Sequence, residues 1–404
     1  MARINRGGIL PAVDPFLNCH ETPQHRKLLE TGIYPYFRAI SSSCAAPEVL
    51  IEGRRVLMFG SNNYLGLTEH PRVREAARDA ISRYGTSCTG SRFMNGTLAL
   101  HEELEERLAK FMRRGAALVF STGFQVNLGV IPTLVGKTDV VISDRRNHAS
   151  LVDGCRLSLA SCLKYQHSDT DQLHRLCAAV QDNCEGALVV TDGVFSMEGD
   201  LAELSEIVRL RKEYGFRIYL DDAHGIGVLG EHGRGTAEHF GVEEDVDLIA
   251  GTFSKSLASL GGFIAGDARV IKHIKHHARP FIFSAAPSPA NAAAALAALD
   301  VLETEPEHLQ RLRDNARELR HALWLAGINT GAGCTPILSV LIGDDEEAFR
   351  VWARLFEAGV YVNCVVAPAT EPGRAALRLS VSAAHTPQHL QEICERLSKA
   401  LAKP

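Results

Sequence analysis

Short apolar runs alternate with stretches of helical periodicity through the middle of the 404-residue chain. The runs at 116–120, 140–143, 187–191 and 218–220 are rich in Val, Ile, Leu and Phe and read as buried strands. Residues 73–84, 98–112 and 201–214 place apolar side chains at helical spacing. Strands alternating with helices predict βαβ units and a mainly parallel sheet covered on both faces, with ligands collecting at the carboxyl ends of the strands. Ahead of this pattern lies an expected N-terminal arm (1–56), with a helix at 23–31 and a hairpin turning at Glu52 and Gly53. Pro287 and Pro289 mark a change of regime. An alanine-rich helix (290–303) and a charged amphipathic helix (306–325) come next. The remainder reads as a smaller α+β unit with strands at 336–342 and 376–381. Its last helix opens on Thr386 as N-cap and Pro387 at N1. The expected fold class is therefore α/β, with a large domain at 57–285 and a small C-terminal α+β domain at 286–404.

Composition adds exclusions. Apolar residues make up 46% and charged residues 23%, as in ordinary globular proteins. A formal net charge of −5 gives no basic surplus for nucleic acid. No apolar run approaches the roughly 18 residues of a membrane span, and Gly7 and Gly8 stand where a secretory signal would be apolar. Ten cysteines without a CxxC pair imply free thiols in a reducing cytosol and no metal site. A cytoplasmic location is the expectation.

Candidate chemistry gathers at predicted strand ends. The stretch GTFSKS (251–256) follows an apolar run at 246–250 and sets Lys255 among hydroxyls. Its amine could form a Schiff base with an aldehyde cofactor whose phosphate the hydroxyls hold; a solvated turn has the same composition. Asp221, Asp222 and His224 follow another strand, where a carboxylate could keep a pyridinium nitrogen protonated or simply cap a helix. The segment 121–125 could offer free N–H groups to phosphate at a helix start, or be a plain βα turn. His148 could stack on an aromatic ring or be structural. The small-residue segment 85–96 suits either a mobile loop or a close pass by a ligand. The basic run 272–279 reads as a solvated helix face.

Taken together these segments resemble the α-oxoamine synthase family of fold-type I pyridoxal-phosphate enzymes. The likeness runs from Leu57 to His385 and rests on SNNYLGL (61–67), GSRFMNGT (90–97), TDGVFSMEGD (191–200), DDAHGIGVLGEHGRG (221–235), GTFSKS and LRLSVSAAHT (377–386). The resemblance implies pyridoxal 5'-phosphate (PLP) as cofactor, with Lys255 as Schiff-base lysine, Asp221 facing the pyridine nitrogen, His224 near the ring hydroxyl and His148 stacked on the ring. It implies phosphate contacts from backbone at Gly123 and Phe124 and from the hydroxyls of Thr252 and Ser254, with Ser284 supplied by the other subunit of a homodimer with shared active sites. Ser196 would meet the cofactor ring, and Asn63 and Arg378 would receive an amino-acid carboxylate. The implied reaction is a decarboxylating condensation of an amino acid with an acyl thioester, on CoA or acyl carrier protein, giving an α-amino ketone, CO2 and free thiol. GSRFMNGT, GTFSKS, ARPFIFSAA (278–286) and YVN (361–363) resemble the serine palmitoyltransferase branch, implying L-serine and a long-chain acyl-CoA. DDAHGIGVLGEHGRG and TDGVFSMEGD resemble the 8-amino-7-oxononanoate synthase branch, which implies alanine, as the 2-amino-3-ketobutyrate ligase branch implies glycine. After Asn363 the chain departs from the Arg-Pro-Pro of relatives, carrying Val365, Val366, Ala367 and Pro368. Arg378 then remains for the carboxylate. Outside this class stand an aminotransferase or lyase of the same fold, and a non-catalytic regulatory subunit.

Overall fold

The computed structural model describes residues 16, 19, 23–43, 45–331 and 333–402. Much of the first 22 residues of the expected arm lies outside that set. Helix α1 (Pro23–Glu30) precedes the hairpin of β1 (Glu48–Ile51) and β2 (Arg54–Met58). Glu52 and Gly53 turn it at φ of 53° and 75°, a left-handed pair suited to a two-residue loop.

Two helices follow, α2 (Pro71–Tyr84) and α3 (Ala99–Phe111). The alternating unit then runs β3 (Ala116–Phe120), α4 (Gly123–Leu134), β4 (Val140–Asp144), α5 (Ala149–Leu157), β5 (Ser161–Tyr165) and α6 (Thr170–Val180). It continues through β6 (Ala187–Asp192), α7 (Leu204–Tyr214), β7 (Arg217–Asp221), α8 (Thr236–His239), β8 (Leu248–Thr252) and β9 (Gly262–Gly266). Its seven strands form one sheet in the order β3-β9-β8-β7-β6-β4-β5. The expected parallel sheet is present with one exception: β9 runs antiparallel to both β3 and β8. Along β3, Ala117 and Val119 face the core under α2, α3, α6 and α7, while Leu118 and Phe120 face the core under α4 and α5. Burial on both faces is why these strands read as unbroken apolar runs. The basic run falls on α9 (Ala268–His277), which buries Ile271 and Ile274 and exposes Lys272 and His276.

Helices α10 (Arg279–Ile282), α11 (Pro289–Thr304) and α12 (Glu307–Leu325) lead into β10 (Ile337–Gly343), α13 (Asp345–Glu357), β11 (Val360–Tyr361), β12 (Asn363–Val365), β13 (Ala375–Ser380) and α14 (Pro387–Leu401). Strands β10, β13 and β12 make a small antiparallel sheet. Thr386 caps α14 as expected, accepting from His389 N at 3.3 Å while its own N–H donates to His389 Nδ1 at 3.2 Å.

Two expected boundaries move. Val49, Ile51 and Val56 of the arm, with Leu57, pack in the C-terminal core, because β2 pairs in parallel with β11. The alanine-rich α11 buries Ala292, Ala295 and Leu299 in the large core, against α2 and α3. The cores therefore divide within α12, whose Leu309 and Leu312 join the large core while Leu319 and Leu323 join the C-terminal one, rather than at residue 286.

The small-residue segment 85–96 is pinned. Arg92 makes a two-point ion pair with Glu105 of α3, Nη1–Oε1 2.8 Å and Nη2–Oε2 3.1 Å, with both side chains nearly out of solvent. Glu105 Oε1 also accepts the Val119 N–H of β3 at 3.0 Å. Breaking one side of a buried pair leaves a bare charge, so Arg92→Ala is expected to lower unfolding stability by about 3–5 kcal/mol in chemical denaturation. A loss below about 1 kcal/mol, the usual worth of an exposed pair, would contradict the pinning.

Candidate active site

Parallel register assembles the site. Asp192 at the end of β6 is the direct partner of Asp221 at the end of β7, and Asp221 pairs with Ala250 of β8. Strand β8 ends at Thr252, and the turn beyond it carries Ser254 and Lys255. His148 caps α5 just past the end of β4. Residues far apart in sequence thus meet at the carboxyl edge of one sheet.

Desolvation sets the charges there. Burial pulls the Lys255 amine down to about 8, against the pull of Asp221 and Asp192 and with help from Arg378. Its Nζ has no hydrogen bond among the described residues. Asp192 is driven well above the usual carboxylate range by burial and then by Asp221, although the His148 N–H donates to its Oδ2 at 2.6 Å. Asp221 is buried, with Oδ2 accepting from Asn127 Nδ2 at 2.6 Å and Oδ1 from Ala223 N at 3.1 Å. His148 is lowered by burial, then by Lys255, with Asp221 opposing. His224 is buried and falls well below its ordinary range through desolvation, then Lys255 and Arg378, so it stands neutral. Its Nδ1 lies 2.7 Å from Tyr64 Oη.

An anion cradle adjoins these groups. Thr122 caps α4, accepting from Gln125 N at 3.1 Å, which leaves early N–H groups of Gly123 and Phe124 free for a ligand. A Cβ at Gly123 would meet Thr252 Oγ1 at 2.8 Å, so only glycine brings the helix start this close to the hydroxyl. Thr252 Oγ1 and Ser254 Oγ are 2.9 Å apart. The Phe124 ring stands edge-on to His148, centroids 6.2 Å apart. Amine, carboxylate, neutral imidazoles and a helix-start cradle together match what PLP requires.

Three expected residues have partners within the chain. Asn63 donates to Ala45 O and Thr68 Oγ1, both at 2.9 Å, and does not contact Arg378. The residue on Arg378 is Asn62, whose Oδ1 accepts from Nη1 and Nη2 at 3.2 Å, because Asn63 is turned inward where Ser382 Oγ holds its carbonyl. The Ser196 backbone carbonyl accepts from Arg378 Nε. Ser284 Oγ accepts from Gln125 Nε2 at 3.1 Å. Its strand neighbours are fixed by local pairing: Ala285 bridges Ser91, and Ala286 N donates to Gly90 O.

Asp222, adjacent to the site, is structural. Its carboxylate accepts the Thr236 N–H and hydroxyl, both at 2.6 Å, while burial raises it to about 7. Asn127, Tyr219, Ser150, Asp192 and Tyr64 were not singled out from sequence. Apart from the run of motifs that carries Tyr64 and Asp192, nothing marks them. Outside the site, His70, Glu305 and His308 lie together, with Arg72 and Arg311 already supplying positive charge.

This fold and site define a class. The chain matches the Aminotransferase class I and II family over residues 54–397 and belongs to it. Within that class it is similar to "Serine palmitoyltransferase" of Sphingobacterium spiritivorum, 49% identical over 371 residues that cover 92% of each chain. It is also similar to "8-amino-7-oxononanoate synthase" of Thermoanaerobacter pseudethanolicus, 42% identical over 92% of this chain and 94% of that one. A solved structure of SPT with PLP superposes at a TM-score of 0.90 and 36% identity, covering 93% of this chain and 95% of that one.

Only a neutral amine adds to an aldehyde. Raising pH from about 7 to 9 is therefore expected to speed PLP uptake by the apoprotein, with a midpoint near the lowered Lys255 value of about 8. Stopped-flow absorbance measures it. A midpoint near the ordinary lysine value of 10.5 would contradict the desolvated amine.

Proposed function

We propose that the chain is a PLP-dependent acyltransferase of the serine palmitoyltransferase type. It would join L-serine to a long-chain acyl thioester, with release of CO2 and free thiol, to give an α-amino ketone. The observation that carries this reading is the meeting of Lys255, Asp221, His148 and His224 at one sheet edge in a chain with relatives of that name at 47–49% identity over more than nine-tenths of its length.

Each residue has a task in that chemistry. The bound cofactor supplies an electron sink for charge that develops at the substrate α-carbon. Lys255 holds the cofactor covalently and, once freed, takes the α-proton on Nζ; an amine near 8 can do this at neutral pH, where an ordinary lysine is almost wholly protonated. Asp221, fixed by two donors, would hold the proton on the cofactor's pyridine nitrogen. His148 would pack against the cofactor as an uncharged ring, and His224 would hold its ring hydroxyl. Gly123 and Phe124 N–H groups with Thr252 and Ser254 hydroxyls take the phosphate. Arg378, whose N–H groups donate to Asn62 Oδ1 and the Ser196 carbonyl, would turn them to the substrate carboxylate. Residues 365–368 after Asn363 contain no arginine.

A homodimer belongs to the proposal. Phe93, Met94 and Phe283 are exposed on neighbouring segments joined by the Ser91–Ala285 bridge, an apolar patch that a second copy would cover. No helix among the described residues is long and apolar enough to cross a membrane.

Holoprotein mixed separately with serine, alanine and glycine separates the branches. Serine is expected to saturate a shift in the cofactor's visible band, and serine with palmitoyl-CoA to release free thiol, in a protein of dimer mass by light scattering. Saturation by alanine or glycine without serine would overturn the serine assignment in favour of the sister branches. Keto-acid-dependent turnover without thiol release would overturn the acyltransferase reading.

A further inference from the structure

We infer that Asn127 and Ser150 form a fixed hydrogen-bond relay that joins the Asp221 carboxylate to the His148 imidazole and places the His148 proton on Nε2. The inference rests on the reading that this site holds the cofactor, and it assigns two positioning residues beneath it.

The relay begins in the core. Tyr219 lies on β7 among apolar neighbours and is fully buried, so its hydroxyl needs a partner. That partner is Asn127 Oδ1, 2.6 Å away. Asn127, on α4 and 1% exposed, then spends both amide hydrogens: Nδ2 donates to Asp221 Oδ2 at 2.6 Å and to Ser150 Oγ at 2.8 Å. A flipped amide would set Oδ1 against the carboxylate and leave the tyrosine proton facing an NH2 group. Chemistry therefore fixes its orientation.

Ser150 passes the direction on. Its oxygen already accepts from Asn127, so its hydrogen is available to His148 Nδ1, 2.7 Å away. The Ser150 N–H also points at Nδ1, at 3.2 Å. A nitrogen that receives two donors carries no proton of its own, which leaves the ring hydrogen on Nε2. Helix packing makes the reach possible: a Cβ at Gly154 of α5 would meet the Asn127 carbonyl oxygen at 2.6 Å, so glycine lets α5 lie against α4.

The relay sets two groups that flank the cofactor with one side chain. Asp221 is held with Oδ2 on Asn127 and Oδ1 on Ala223 N. His148 is held as a neutral ring with a donor at Nε2, which has no partner among the described residues.

The test uses PLP-loaded enzyme carrying Ser150→Ala or Ser150→Thr. Loss of the hydroxyl is expected to lower kcat about ten-fold, with the amino-acid KM changed by no more than about two-fold, the scale of one hydrogen bond. It is also expected to move the pH midpoint of the cofactor's visible absorption by about half a unit or more, and Ser150→Thr is expected to restore both. Ser150→Ala enzyme with parental kcat and absorption profile would overturn the relay, as would Ser150→Thr that does no better. A second variant keeps the test open if Ser150→Ala does not fold. Asn127→Asp keeps the shape but turns a donor into an acceptor facing Asp221. Weakened PLP binding at unchanged melting behaviour supports the relay, and parental PLP binding overturns it. If the parental enzyme itself binds no PLP, the cofactor reading fails rather than the relay.

Discussion

Two carboxylates and one amine share a desolvated corner, and the site depends on how that crowding is resolved. Sheet register makes Asp192 and Asp221 direct neighbours, with Lys255 just beyond the next strand. Charge out of water is costly unless it is paired or hydrogen-bonded. The protein treats the two acids differently. Asp221 receives a side-chain amide and a backbone N–H, whereas Asp192 has the His148 N–H and moves toward its neutral form. The amine yields as well, dropping to about 8. One carboxylate, one amine that can be neutral and two uncharged imidazoles are the set that an electron-sink cofactor needs.

The two cores meet over this corner. Arg378 stands on β13 of the small sheet, yet its guanidinium reaches Asn62 and the carbonyl of Ser196 in the loop after β6. Arg146, two residues before His148, binds Glu198 of that loop at 2.9 Å and Glu371 of the C-terminal unit at 3.3 Å. Exposed ion pairs of this kind contribute little to stability. Their role is geometric: they register the small sheet that carries Arg378 against the strand ends that carry His148 and Asp192.

The alternating core was legible because its strands are buried on both faces and its helices are amphipathic. Lys255, Asp221, His148 and His224 stood out as polar residues after apolar runs, and the resemblance of the motifs around them supplied the role expected of each. What stayed hidden is non-local or interior. The pairing of β2 with β11 joins segments about three hundred residues apart, and β9 (GFIAG) is too short and glycine-rich to show direction. Asn127 and Tyr219 lie inside a helix and a strand, where one polar residue among apolar ones carries no period of its own. Asn62 and Asn63 are adjacent and alike, and only the tertiary contact of Ser382 with the Asn63 backbone decides which one turns toward Arg378.

Among the described residues Lys255, in the turn beyond β8, is the one placed to anchor the cofactor covalently at this sheet edge. Borohydride reduction of the PLP-loaded protein, followed by peptide mass mapping, reads that anchor directly. The reduced pyridoxyl group is expected on the peptide containing Lys255 and on no other. A label on another lysine, or a cofactor lost entirely after reduction and denaturation, would contradict it.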